Sequence, residues 1–234
     1  MTTPFSIVFP LYAGMTHLDF TGPHQFLSRL PGAQLTVASV GGVAVKADGL
    51  TFADLAKLEE IEHCDVLCVP GGASCTNAMQ DPVFMAAVRR LAAGARYVTS
   101  VCTGSLILGA AGLLEGRRAA CHWAWREFLP LFGAIPDPGR VVRDGNLITG
   151  GGVTAGIDFA ITLAAELADA NVAQAIQLGL EYAPAPPFNA GHPDTAPVEI
   201  YTMVSSISGA NNKRRRGEVE HAAEAYAAGK RAAA

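Results

Sequence analysis

The chain has 234 residues, 50% hydrophobic and 16% charged, enough apolar side chain for a sizeable core and too little charge for extended disorder. Its formal net charge of −4 at pH 7 disfavours nucleic acid and anionic membranes as partners. No apolar run reaches the roughly 18 residues of a membrane span, and the N-terminal MTTPFSIVFP lacks a basic n-region, a long apolar h-region and a cleavage site, so a soluble chain without a secretory leader is expected.

Short apolar runs alternate with helical patterns, the signature of an α/β fold with a mostly parallel sheet. A strand is predicted over 5–11, a helix over 20–30 with Pro23 in its first turn, and a second strand over 34–40 before Gly41-Gly42 turns the chain. A short helix is predicted over 54–60, and a buried strand over 65–69 closed by Pro70-Gly71-Gly72. An amphipathic helix follows over 82–93, opened by Asp81 as N-cap. Then come a strand over 96–101, a helix over 103–114, a hairpin over 141–149 around Asp144-Gly145, a glycine run at 150–152 and a helix over 154–168. Residues 183–197 are proline-rich and read as irregular, and 198–234 as a polar surface helix carrying the basic run Lys213-Arg214-Arg215-Arg216. No internal repeat and no second domain is visible: residues 1–182 read as the catalytic domain and 183–234 as its extension.

The five cysteines, Cys64, Cys68, Cys75, Cys102 and Cys121, are odd in number and include no CxxC pair. That pattern points to reduced thiols of a cytoplasmic protein rather than to disulfides or a metal site. Cys102 stands apart, because a buried strand ends at it and a helix rich in small residues begins at once. Such an elbow exposes a nucleophile at the carboxyl edge of an open sheet, and the helix N-terminus is expected to lower the thiol pKa. The other four cysteines read as structural. Gly71 and Gly72 end the strand expected beside the one carrying Cys102, where backbone N–H groups could hold a developing anion. Asp19 stands at a strand-to-helix junction and reads equally as helix N-cap or as proton carrier. His122 and His192 are weaker candidates for a base, Trp123 and Trp125 read as packing residues, and no Cys-His-acid triad is visible.

Taken together, PGG at 70–72, SVCTGSLILGAAGLLEGRRA at 100–119, HW at 122–123 and TGGGVTAGID at 149–158 resemble the DJ-1/PfpI superfamily, in particular the branch that also fronts some AraC-type regulators. Within it, LDFTGP at 18–23 and EYAPAPPFNAGHPDTAP at 181–197 resemble the isonitrile hydratases. The resemblance implies a flavodoxin-like three-layer sandwich, a homodimer, and addition of water to an isonitrile through a covalent Cys102 thioimidate, with no cofactor and no metal. It places the acid/base at Asp19 and the residue following the nucleophile at Thr103, with Thr103, Gly71 and Gly72 as donors around the anion. Many DJ-1 relatives carry a glutamate near the first strand and sometimes a histidine after the cysteine; Asp19 and Thr103 stand here instead. Two other readings remain: a DJ-1-type stress hydrolase or glyoxalase, favoured if Asp19 is remote from Cys102 and His122 close, and a non-catalytic ligand-sensing domain.

Overall fold

The computed structural model describes residues 4–233, with the side chains of 210–212, 214 and 229–233 outside the description; Met1–Thr3 of the expected leader-free N-terminus and the Arg214 side chain of the basic run thus lie outside the described residues. In chain order the elements are β1 (Phe5–Pro10), α1 (His17–Leu27), β2 (Ala33–Ser39), β3 (Val45–Ala47), β4 (Leu50–Phe52), β5 (Ala56–Lys57) and β6 (Val66–Val69). They continue as α2 (Cys75–Gln80), α3 (Pro82–Gly94), β7 (Tyr97–Val101), α4 (Gly104–Ala110), β8 (Arg118–Ala119) and β9 (Ile135–Pro136). The last are β10 (Val141–Asp144), β11 (Leu147–Gly150), α5 (Ala155–Leu167), α6 (Ala170–Gly179) and α7 (Val198–Ala233).

The central sheet runs β10-β11-β7-β6-β1-β2-β5, parallel throughout except for β10, which pairs antiparallel with β11. Helices α1, α5 and α6 pack together over one side, and α2, α3, α4 and α7 over the other, giving the expected three-layer α/β sandwich. The middle strands β6 and β7 are buried at every position, as strands covered by helices on both faces must be. Polar residues inside them are matched: Thr99 donates its hydroxyl to the Leu67 carbonyl at 2.8 Å, and the Ser100 and Ser105 hydroxyls meet at 2.9 Å. No described helix is long and apolar enough to cross a membrane.

Local chemistry explains where the elements differ from expectation. The helix predicted over 20–30 begins at His17, so Pro23 lies inside it rather than in its first turn. No helix fills 54–60: Asp54 takes a φ of +56°, Ala56–Lys57 joins the sheet edge beside β2, and only a 3-10 turn over Leu58–Glu60 remains. The helix predicted over 103–114 stops at Ala110, where Gly112 adopts a φ of +85° and Leu113 N–H reaches back to the Leu108 carbonyl at 3.0 Å, a glycine C-terminal cap. Two further elements rest on local signals: the β3–β4 hairpin turns around Asp48-Gly49 with φ of +47° and +83°, and helix α6 is capped by Asp169 through the Asn171 and Val172 N–H groups. Asp81 caps α3 as expected, accepting from Val83 and Phe84 N–H at 2.9 and 3.1 Å.

Candidate active site

At the carboxyl end of β7 the chain turns abruptly into α4. Cys102 sits in that turn with a φ of +58°, a strained conformation for a residue with a side chain. Its N–H is fixed to the Gly150 carbonyl at 3.1 Å. The residue is only 4% exposed, and the Thr103 backbone N–H points at its sulfur.

Asp19 arrives from the first turn of α1. Because the helix starts at His17, Asp19 is not its N-cap; that position falls to Thr16, which makes no side-chain cap. The carboxyl turns inward instead, 2% exposed. Its Oδ2 accepts the Gly71 N–H at 3.0 Å, its Oδ1 is buried with no hydrogen-bond partner among the described residues' oxygen and nitrogen atoms, and the carboxyl interacts with the Cys102 thiol.

The donors expected to serve an anion are engaged within the protein. Gly71 N–H is held by Asp19, and Gly72 N–H by the Thr103 hydroxyl at 2.8 Å. That hydroxyl in turn donates to the Gly72 carbonyl at 2.9 Å, so it pins the turn rather than reaching Asp19. The glycines are needed for close approach. A Cβ on Gly71 would lie 2.4 Å from Thr103 N, and one on Gly72 2.4 Å from Thr16 N. The turn is thus wedged between the segment before α1 and the elbow, and brings Asp19 to Cys102.

Burial decides the protonation states. It pushes the Asp19 carboxyl up to about 7, against the opposing pull of the Gly71 N–H and the Cys102 thiol. Burial also raises the Cys102 thiol well above its ordinary value, helped by the Asp19 and Cys121 charges and opposed by the Thr103 N–H. The lowered thiol pKa expected from the helix N-terminus is therefore not found: a seven-residue helix offers less than desolvation beside a carboxylate removes. Cys64 and Cys68 are pushed up to about 12 and Cys75 to about 11 by burial. All five cysteines are free and buried.

A cavity of about 200 Å³ opens over the elbow, lined by Cys102, Thr103, His122, Trp125, Ser208 and Arg215 among others. Trp125, read as packing, is part of this wall. Ser208 and Arg215 come from α7, more than a hundred residues on in the chain, and nothing in their local sequence pointed here. Burial lowers the His122 pKa, and its Nδ1 accepts the Ala124 N–H at 3.3 Å, which marks a neutral ring. His192 lies instead beside Trp123 and Tyr201 in a separate small groove. A larger hollow of about 270 Å³, around Leu11, Tyr12, Val43 and Phe84, has no cysteine among its described lining residues. Among the described residues no three His, Cys, Asp or Glu side chains gather where a metal ion could be held.

An open, largely parallel sheet whose central strand ends in a strained cysteine turn defines a flavodoxin-like α/β sandwich with its site at the carboxyl edge. Residues 5–166 match the DJ-1/PfpI family, and the chain belongs to that family. It is 50% identical over 218 residues to isonitrile hydratase of Pseudomonas putida, spanning 93% of this chain and 96% of that one. A crystal structure of a ThiJ/PfpI family protein from Pseudomonas syringae is 41% identical with a TM-score of 0.89, over 95% of this chain and 91% of that one. Drosophila melanogaster DJ-1beta is more distant, 26% identical with a TM-score of 0.69 over 78% of this chain and all of that one (100%).

Proposed function

We propose that this protein is an isonitrile hydratase, a lyase that adds water to an isonitrile and releases an N-substituted formamide. One observation carries the reading: the buried Asp19 carboxyl, pushed up to about 7 by desolvation, is held against the thiol of the elbow cysteine. The Pseudomonas putida relative, alike over nearly its whole length, supports it.

An isonitrile carbon must gain a nucleophile and a proton at the same atom, and the Asp19–Cys102 pair offers both. Near neutral pH Asp19 is partly ionised while the thiol keeps its proton. In the scheme, Cys102 Sγ bonds to the isonitrile carbon as Asp19 takes the thiol proton and passes it to that carbon. The product is a thioimidate, R–N=CH–S, covalently attached to Cys102. Water then adds to the same carbon while the nitrogen gains a proton. The C–S bond breaks, Cys102 regains its proton through Asp19, and R–NH–CHO leaves. Atoms balance with one water consumed and no oxidant or reductant.

Desolvation that keeps the thiol neutral at rest makes the sulfur reactive only when its proton has somewhere to go, and Asp19 Oδ1, without a conventional partner, is the acceptor at hand. Thr103 N–H stabilises the charge that develops at sulfur. Gly71 serves by orienting Asp19, and Gly72 by locking Thr103, rather than by binding the substrate directly. The contact between Asp19 and Cys102 favours this chemistry over a DJ-1-type hydrolase or glyoxalase, for which His122 would have to take Asp19's place. We read residues 1–182 as the catalytic unit and 183–234 as an extension that completes the cavity wall. Exposed Ile200, Met203, Val204 and Ile207 on α7 form an apolar stripe at helical spacing, which supports a homodimer; sedimentation as a monomer at micromolar concentration would remove it. Five free thiols support a reducing, cytoplasmic setting.

The test is formation of N-cyclohexylformamide from cyclohexyl isocyanide, compared with Cys102→Ala. The expected loss is more than about 1000-fold with the fold retained. Absence of turnover by the fully reduced protein would sink the hydratase reading.

A further inference from the structure

Arg215 is the only Lys, Arg, Asp or Glu among the described residues lining the Cys102 cavity. Its guanidinium lies over the Trp125 ring, 5.3 Å from the centroid, a cation–π contact that ties the group to the cavity wall. Two of its nitrogens, Nε and Nη1, are buried with no hydrogen-bond partner among the described residues. A buried cation left unpaired is costly, and folded chains usually supply a counter-charge.

Nearby carboxylates do not supply it. Glu218 accepts the Thr76 hydroxyl at 2.7 Å. Glu127 is paired with Arg216 at 2.8 Å, and Glu220 faces the same Arg216 at 3.7 Å. Glu115 accepts the Tyr226 hydroxyl at 2.8 Å. His122, also in the cavity wall, is a neutral ring with its pKa lowered by burial. The neighbouring residue thus has two carboxylate partners while Arg215, in the wall of the reacting sulfur's cavity, has none among the described residues.

We infer that the substrate class is an isonitrile carrying an anionic group, a carboxylate, on a short organic substituent, with Arg215 binding that anion while the isocyano carbon stands at Cys102. This rests on the hydratase reading above. A cavity of about 200 Å³ corresponds to about seven water volumes, which suits a small isocyano acid. A charge-assisted hydrogen bond from a guanidinium is directional as well as strong, so Arg215 orients the molecule as well as retaining it.

The experiment compares kcat/KM for isocyanoacetate and for its uncharged methyl ester in the wild-type protein, Arg215→Gln and Arg215→Lys. The wild type is expected to favour the acid, and Arg215→Gln to reduce that acid-over-ester ratio about 10- to 100-fold through KM. Arg215→Lys should recover part of it, which a purely structural role would not do. Equal losses on acid and ester, or preference of the wild type for the ester, overturns the inference. Calorimetric titration with N-formylglycine separates the two readings. If neither isonitrile is converted, the hydratase reading fails, while formylglycine binding that Arg215→Gln abolishes still upholds the anion site. Equal formylglycine affinity in both proteins sinks that site.

Discussion

One part of the Cys102 cavity comes from the carboxyl edge of the sheet and another from α7, and the two are constructed on opposite principles. At the sheet edge the polar groups are already engaged with one another: Gly71 N–H with Asp19, Gly72 N–H with Thr103, Cys102 N–H with Gly150. Little there is adjustable, and the chemistry rests on a strained turn and two backbones too close for a Cβ. On α7, Arg216 is ion-paired with Glu127 of the body of the protein, but Arg215 keeps buried donors without a partner among the described residues. Under the proposed function the difference amounts to a division of tasks: rigid backbone geometry would set which reaction runs, and a long helix docked by side chains would set what enters.

Five expected outcomes test that division. The largest concerns the sheet edge. Asp19→Asn should lower kcat by about 100- to 10,000-fold on cyclohexyl isocyanide, as expected for a positioned acid/base group, and steady-state assays would show it. In the wild type, kcat/KM should rise through a pH of about 7 as Asp19 ionises and hold until the thiol titrates. A flat profile from pH 5 to 9 would break the assignment.

The same carboxyl has a stability signature. In the unfolded chain it loses its proton near 3.8, in the fold near 7. The folded state therefore holds the extra proton between those values, and stability is fullest below about pH 4 and falls as the pH rises to 7. Relative to wild type, Asp19→Asn should gain about 3–4 kcal/mol between pH 4 and pH 8, read from urea denaturation at each pH. No pH-dependent difference would mean that the carboxyl is solvated.

Gly71→Ala tests the wedge. Its Cβ would fall 2.4 Å from Thr103 N, so a loss of about 2–3 kcal/mol is expected, with activity reduced as Asp19 and the elbow part. Unchanged stability and activity would show that the turn can yield. The smallest effect belongs to α7: Arg216→Ala removes a half-exposed pair with Glu127 and should cost less than about 1 kcal/mol. A larger cost would mean that α7 depends on its ion pairs more than on the burial of Val219, Ala222 and Ala223.

By itself the sequence determined the α/β class, the buried strands β6 and β7, the Asp81 cap and the exceptional place of Cys102. Each is a local signal: an unbroken apolar run, a cap before Pro82, a nucleophile between a strand and small residues. It also pointed to Asp19 as a candidate, without separating a cap from an acid. Only the tertiary structure decided that. Starting α1 at His17 rather than near Pro23 turns Asp19 away from capping and into the core, where Gly71 holds it. The protonation of Cys102 could not be read locally either, because the helix terminus that lowers a thiol pKa is adjacent in sequence, whereas the burial and the Asp19 charge that raise it come from distant segments. Arg215 is the extreme case. In a basic run its charge reads as solvated surface, and it becomes part of the cavity because α7, after a proline-rich stretch, packs back across α2 and α4 and carries it there.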